Sequence, residues 1–304
     1  MEIESPIPLS SVYSDAVPYI DVTEPYFALQ NLTIAPPAAM HGTEGVSCTF
    51  TREQPPDSTL LTFGAAELGR HMAILGSVVA ARENPVKRKH YYLALDAHLH
   101  ITNVGTDEPT LRATAHVTAP SYPKKRVTVD VRALTLAGSP YARLVCTYAI
   151  LSEELMLRIV RTPDPARVFG TPWRPGEPSP YADPVVLRMV KKHDDRHASA
   201  VVSLHDVRKM AGHFGPRPTA PIAVLCANAV ELCKLLWTSE LVAEYSHVVC
   251  ERLVVAGECI EVHARVLPEG GKFTHRIDFV DEGGESIGFL GQRLREPREV
   301  KAKL

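Results

Sequence analysis

Apolar residues gather in two long stretches, and each is followed by runs in which apolar and polar positions alternate. The first stretch, from about Leu60 to Ala81, is apolar or small on nearly every face, so a helix built from it has to be enclosed. After the loop ENPVKRK the alternation predicts strands at Tyr91 to Asn103, Thr110 to Val117, Arg126 to Leu136 and Tyr141 to Leu151. The second stretch runs from about Ala220 to Trp237. Strands are predicted after it at His247 to Val255, Cys259 to Leu267, Phe273 to Asp281 and Ser286 to Leu294. The same plan therefore occurs twice.

Seven of the 25 prolines fall between Pro163 and Pro184, where fixed φ and missing donors disfavour regular structure. This marks a linker at 162–184 between a first repeat with an N-terminal extension (1–161) and a second repeat (185–304). Short strands in succession imply antiparallel pairing, and a curved antiparallel sheet around one buried helix per half predicts an α+β fold. The order of helix and strands resembles the hotdog fold, and two copies in one chain resemble a double hotdog.

Composition narrows the function. The 304 residues are 45% hydrophobic and carry a formal charge of -2, which supplies no general field for a phosphate backbone, so nucleic acid is not expected as a partner. The N-terminus MEIESPIPLS is acidic and broken by proline, unlike a secretory signal, and no run of 18 apolar residues occurs. A cytoplasmic protein without membrane attachment is expected, and a homodimer is left open. Six cysteines without a C-x-x-C pair read as core residues. No nucleotide-binding glycine motif and no nucleophile elbow is present.

The segment Gly212-His213-Phe214-Gly215-Pro216-Arg217-Pro218-Thr219-Ala220-Pro221 precedes the second helix. Its prolines stiffen a loop, Pro221 suits a helix start, and His213 is a residue whose imidazole can act as a base near neutral pH. The segment resembles the G-H-F-x-x-x-P-x-x-P signature of β-hydroxyacyl-thioester dehydratases, with Ile222 where that family has glycine. The resemblance implies a carboxyl 14 residues after the histidine, but Ala227 stands there. The first repeat has the complementary half, Glu67-Leu68-Gly69-Arg70-His71, and has Glu53 in place of the histidine.

The resemblance therefore implies one composite site, in which His213 removes the α proton of a β-hydroxyacyl thioester and Glu67 protonates the departing hydroxyl. Apolar neighbours favour a neutral, proton-donating Glu67; an internal pair with Arg70 or His71 is its structural counterpart. His71 would orient Glu67, the backbone N–H of Ile222 would bind the developing oxyanion, and Gly212 and Pro221 would shape the loop. Lys87, Arg88 and Lys89 are candidates to meet the phosphate of a pantetheine arm or an acyl carrier protein. The substrate would be carried on phosphopantetheine or coenzyme A, with no other cofactor. Asp96, His98 and His100 alternate on one strand face and read as a solvated face rather than a metal site. His193-Asp194-Asp195-Arg196-His197 reads as a mixed-charge patch, and no metal is expected. Three other functions stay open: a hotdog acyl thioesterase using Glu67, a condensing enzyme resembling A-factor synthase, and a non-catalytic acyl-binding protein.

Overall fold

The computed structural model describes residues 11–37, 44–55, 63–102, 108–119, 125–183, 185–215, 217–236 and 242–295. Predicted positions 60–62, 103, 184 and 237 lie outside them. The first half runs α1 (Ser11–Ala16), β1 (Gln30–Ala35), β2 (Gly45–Thr51), α2 (Ala65–Glu83), β3 (His90–Ile101), β4 (Thr110–Ala119), β5 (Arg126–Thr135), β6 (Pro140–Ser152) and α3 (Glu153–Ile159). The second runs β7 (Leu187–Asp194), β8 (His197–Ser203), β9 (Thr219–Ala220), α4 (Ile222–Lys234), β10 (Val242–Cys250), β11 (Val254–Val255), β12 (Cys259–Val266), β13 (His275–Asp281) and β14 (Ser286–Arg295).

Twelve strands form one antiparallel sheet in the order β1-β2-β4-β5-β6-β3-β10-β14-β13-β12-β8-β7. Read inward from either edge, the two halves have the same order, each with one long helix between its second and third main strands. The halves meet where β3 pairs with β10, with His98 opposite His247 and Leu99 opposite Ser246. β9 and β11 form a separate two-stranded ribbon. The sequence pattern missed β1, β2, β7 and β8. β7 is exposed along nearly all its length and β1 along most of it, so neither carries a regular period-two signal.

Alternation decides the sheet's inner face. In β5, Val127, Val129, Val131 and Ala133 are buried, and they point toward α2 together with Leu111, Ala113 and Ala115 of β4. α2 is enclosed as its composition demands, with Leu68, Met72, Leu75, Val78 and Val79 all inaccessible. One close approach is specific: Tyr148 of β6 donates its hydroxyl to the carbonyl of Ala73 at 2.7 Å, and a Cβ on Gly76 would lie 2.3 Å from that hydroxyl. Gly76 is what lets the tyrosine seat on the helix. Among the described residues no helix is long and apolar enough to cross a membrane.

Candidate active site

A cavity of about 880 Å³ lies between α2, α4 and the inner face of the central strands. That is toward the upper end of the range for small-molecule sites, about 300–1,000 Å³. α2 lines it with Ala65, Gly69, Ala73 and Ser77, small residues four apart and hence on one stripe, and α4 faces them with Ile222, Cys226 and Val230. Leu99 of β3 and Val248 of β10 form part of the sheet wall. Small side chains on α2 leave space that larger ones would fill, and the walls are chiefly apolar. Exposed Arg126 and Arg161 also line the cavity, and neither has an ion-pair partner among the described residues.

His213 opens onto this cavity. Its loop is clasped by the N-terminal segment: Val22 bridges His213, Thr23 N–H donates to the Gly212 carbonyl at 2.8 Å, and Phe214 N–H donates to the Asp21 carbonyl at 3.2 Å. Gly212 has φ +77°, and a Cβ there would lie 2.2 Å from the Thr23 carbonyl oxygen, so only glycine fits. The His213 ring packs on Phe214 and on the edge of Tyr26, at centroid distances of 3.9 and 4.9 Å. Its Nδ1 lies 2.9 Å from the Thr219 carbonyl oxygen, a contact that requires Nδ1–H as donor. Nε2 then carries the lone pair, and it has no hydrogen-bond partner among the described residues. Burial lowers the imidazole pKa to about 4, against a small upward pull from Thr219, so the ring is neutral at physiological pH.

Thr219 leads directly into α4. Pro221 is the helix N-cap residue, with ψ 135°, and Ile222 begins the helix. The first N–H groups of a helix have no intrahelical acceptor, so those of Ile222 and Ala223 are the donors this site offers beside His213. Both residues line the cavity.

Glu67 lies elsewhere. It borders a separate space of about 20 Å³, with Gln54, Tyr181, Val224 and Ala227, and it does not line the large cavity. Its Oε1 accepts the backbone N–H groups of Glu53 and, at 3.2 Å, Gln54, while Oε2 is buried without a partner among the described residues. Burial raises its pKa to about 7, partly offset by the Gln54 hydrogen bond and the charge of Arg52. The expected partner of Glu67, Arg70, instead pairs with Glu53 and lies over the rings of Tyr181 and Tyr26 at 5.0 and 5.6 Å. His71 stands 3.7 Å from Glu67 Oε1, beyond hydrogen-bonding range, so the two backbone N–H groups orient the carboxyl. His71 is stacked on Phe50, and burial followed by the Arg70 charge holds its pKa well below the usual value. Glu53, Glu67 and His71 are close enough to hold a metal, but Arg70 already fills this place: it pairs with Glu53, and its Nη2 lies 3.1 Å from His71 Nε2.

The basic loop is also committed elsewhere. Lys87 donates to the carbonyls of Ala81 and Arg82 at the end of α2, and Lys89 pairs with Asp21 at 2.7 Å; neither these nor Arg88 lines the cavity. Arg126 and Arg161 were not singled out from the sequence, where nothing distinguishes them from other surface arginines. The α2 stripe was legible in principle, because Ala65, Gly69, Ala73 and Ser77 repeat at helical spacing. All six cysteines are free, and burial raises the thiol pKa of cavity-lining Cys250 to about 11, which does not suit a nucleophile.

No protein-family model and no curated protein matches the sequence. Similarity emerges at the level of structure. The tesB protein of Mycobacterium avium subsp. paratuberculosis superposes with a TM-score of 0.55 at 9% identity, over 88% of this chain and 96% of that one. An acyl-ACP thioesterase from Bacteroides thetaiotaomicron gives 0.52 at 10% identity, over 83% and 98%. A conserved hot dog fold protein of unknown function from Alicyclobacillus acidocaldarius gives 0.54 at 12%, over 91% and 100%. The dehydratase expectation, and with it the lyase assignment, is corrected here. The enzyme named as such among these structures is a thioesterase, and His213 lines the large cavity whereas Glu67 does not. At these identities the likeness concerns architecture: the chain has the hotdog fold.

Proposed function

We propose that the chain is a double hotdog, divided at 1–161, 162–184 and 185–304, that hydrolyses an acyl thioester carried on coenzyme A or an acyl carrier protein. The observation that carries this reading is the placement of a neutral imidazole and a helix N-terminus on one large apolar cavity. Thioesterases among the structural neighbours support it.

In this reading the acyl chain lies along the α2 stripe, and its thioester carbonyl points at the N–H groups of Ile222 and Ala223. His213 Nε2 takes a proton from water as the oxygen attacks the carbonyl carbon. The two N–H groups hold the tetrahedral oxyanion. Collapse breaks the C–S bond, and the thiolate recovers the proton from the imidazolium, giving a carboxylic acid and a free thiol. No cofactor is needed. The role of base thus passes from Glu67, which the hydrolytic alternative favoured on sequence, to His213.

The test is thiol release from acyl-CoA substrates of increasing chain length, followed with a thiol-reactive dye. Turnover that is lost in His213→Ala supports hydrolysis. Binding of acyl-CoA with no turnover in the wild-type protein identifies a non-catalytic acyl-binding protein, and thiol release that requires a second small substrate identifies condensation.

A further inference from the structure

A second chemically distinct cluster lies on the opposite face of the sheet, at the seam between the halves. Leu95, Ala97 and Leu99 of β3 face the cavity, so period-two alternation sends Asp96 and His98 to the outer face. On β10, Ser246 and Val248 face inward and His247 outward, directly opposite His98. The register of β3 on β6 shifts between Ala94 and Asp96, and such an irregularity re-aims the side chain beside it.

The result is convergence. Asp96 Oδ1 lies 2.9 Å from His98 Nε2 and 3.3 Å from His247 Nε2, and one donor atom from each residue lies within 4.8 Å of the other two. Ligands about 2.0–2.2 Å from a tetrahedral ion are separated from each other by ~3.4 Å, so little movement is needed to close the set on a cation. The two imidazoles stack at 4.0 Å. His98 Nδ1 lies 2.7 Å from the Tyr245 hydroxyl, an outer partner of the kind that orients a ligating histidine. Phe289 meets the His247 ring edge-on at 5.5 Å and Phe273 stacks on it at 6.0 Å.

Asp96 has no lysine or arginine partner among the described residues. Lys272, the nearby cation, sits over the rings of Tyr245 and Phe273 instead. The carboxylate is therefore left to be balanced by a proton on histidine or by a bound cation.

We propose that Asp96, His98 and His247 bind one divalent transition-metal ion of the zinc class, joining the first half of the sheet to the second. Two imidazoles and one carboxylate suit zinc or cobalt rather than magnesium or calcium, and the half-exposed position leaves a fourth coordination site to water. His100 is outside the set: it packs on Tyr245 at 4.4 Å. This site is separate from the cavity and stands whether or not the chain hydrolyses thioesters.

The experiment is calorimetric titration of the untagged full-length protein with zinc, together with the visible absorption of the cobalt-loaded form. The expected result is one equivalent bound per chain, with the absorption of a four- or five-coordinate cobalt site and a higher unfolding temperature. Asp96→Asn, His98→Gln and His247→Gln should each weaken binding at least tenfold, while His100→Gln retains it. Unfolding temperatures in the presence of chelator confirm that the variants are folded. Absence of stoichiometric binding, or binding unchanged in the three variants, overturns the proposal.

Discussion

The Nδ1 of His213 and the carbonyl oxygen of Thr219 stand 2.9 Å apart, which fixes the tautomer of the one imidazole that lines the large cavity in the described structure. Removing that ring by His213→Ala should lower kcat for thiol release by about 10²–10⁴-fold. His213→Gln should be equally impaired, because an amide accepts a hydrogen bond without taking the proton. Wild-type turnover in either variant would exclude this base.

The pH profile distinguishes this histidine from an exposed one. Burial shifts its pKa down to about 4, so the basic form prevails above that value. The ratio kcat/KM should rise with pH through an apparent pKa near 4 and stay level across the neutral range. An acid limb near the ordinary value of about 6.5 would contradict the assignment.

Glu67 offers a test through stability. Burial raises its folded pKa to about 7, above the ordinary carboxyl value of 4.5, so the folded chain holds the extra proton between those limits. Its contribution is fully present below pH 4.5 and is lost as pH rises through 7. Glu67→Gln mimics the protonated form and should gain roughly 3 kcal/mol relative to the wild type at pH 8, with little difference at pH 4. Thermal or denaturant unfolding at the two pH values measures it.

Arg126 and Arg161 should act on affinity. Each is exposed on the cavity lining without an ion-pair partner among the described residues, a placement suited to the phosphates of a carrier arm. Replacing either with alanine should raise KM for acyl-CoA several-fold, leave kcat nearly unchanged, and have less effect on a thioester lacking phosphate. Equal effects on both substrates would argue against phosphate contact.

Ala73 sets room for the acyl chain. Ala73→Phe places a ring in the α2 stripe and should cut kcat/KM for long-chain substrates by about tenfold or more while sparing short ones. A uniform loss across the chain-length series would show that the acyl group lies elsewhere.

Much of the architecture was legible because burial leaves a period. Val127, Val129 and Val131 alternate, and the two long helices lack a polar face. His213 stood out because prolines and glycines surround it. Sequence spacing says which helix carries Glu67 but not which way its first turn faces; its carboxyl accepts the backbone N–H groups of Glu53 and Gln54 and does not line the large cavity. On the outer face, Asp96 and His98 read from the sequence as part of a solvated strand face, for a related reason. Asp96 and His98 share a strand, but His247 is about 150 positions further on, and only the β3–β10 register brings it alongside.

The clasp between residues 21–23 and the His213 loop bears on how the molecule can be divided. A fragment beginning at residue 185 would retain His213 and α4 but forfeit Val22, Tyr26 and the whole α2 wall, exposing apolar surface and releasing the loop that carries the imidazole. Despite the duplicated plan, the second half is therefore not a smaller version of the whole.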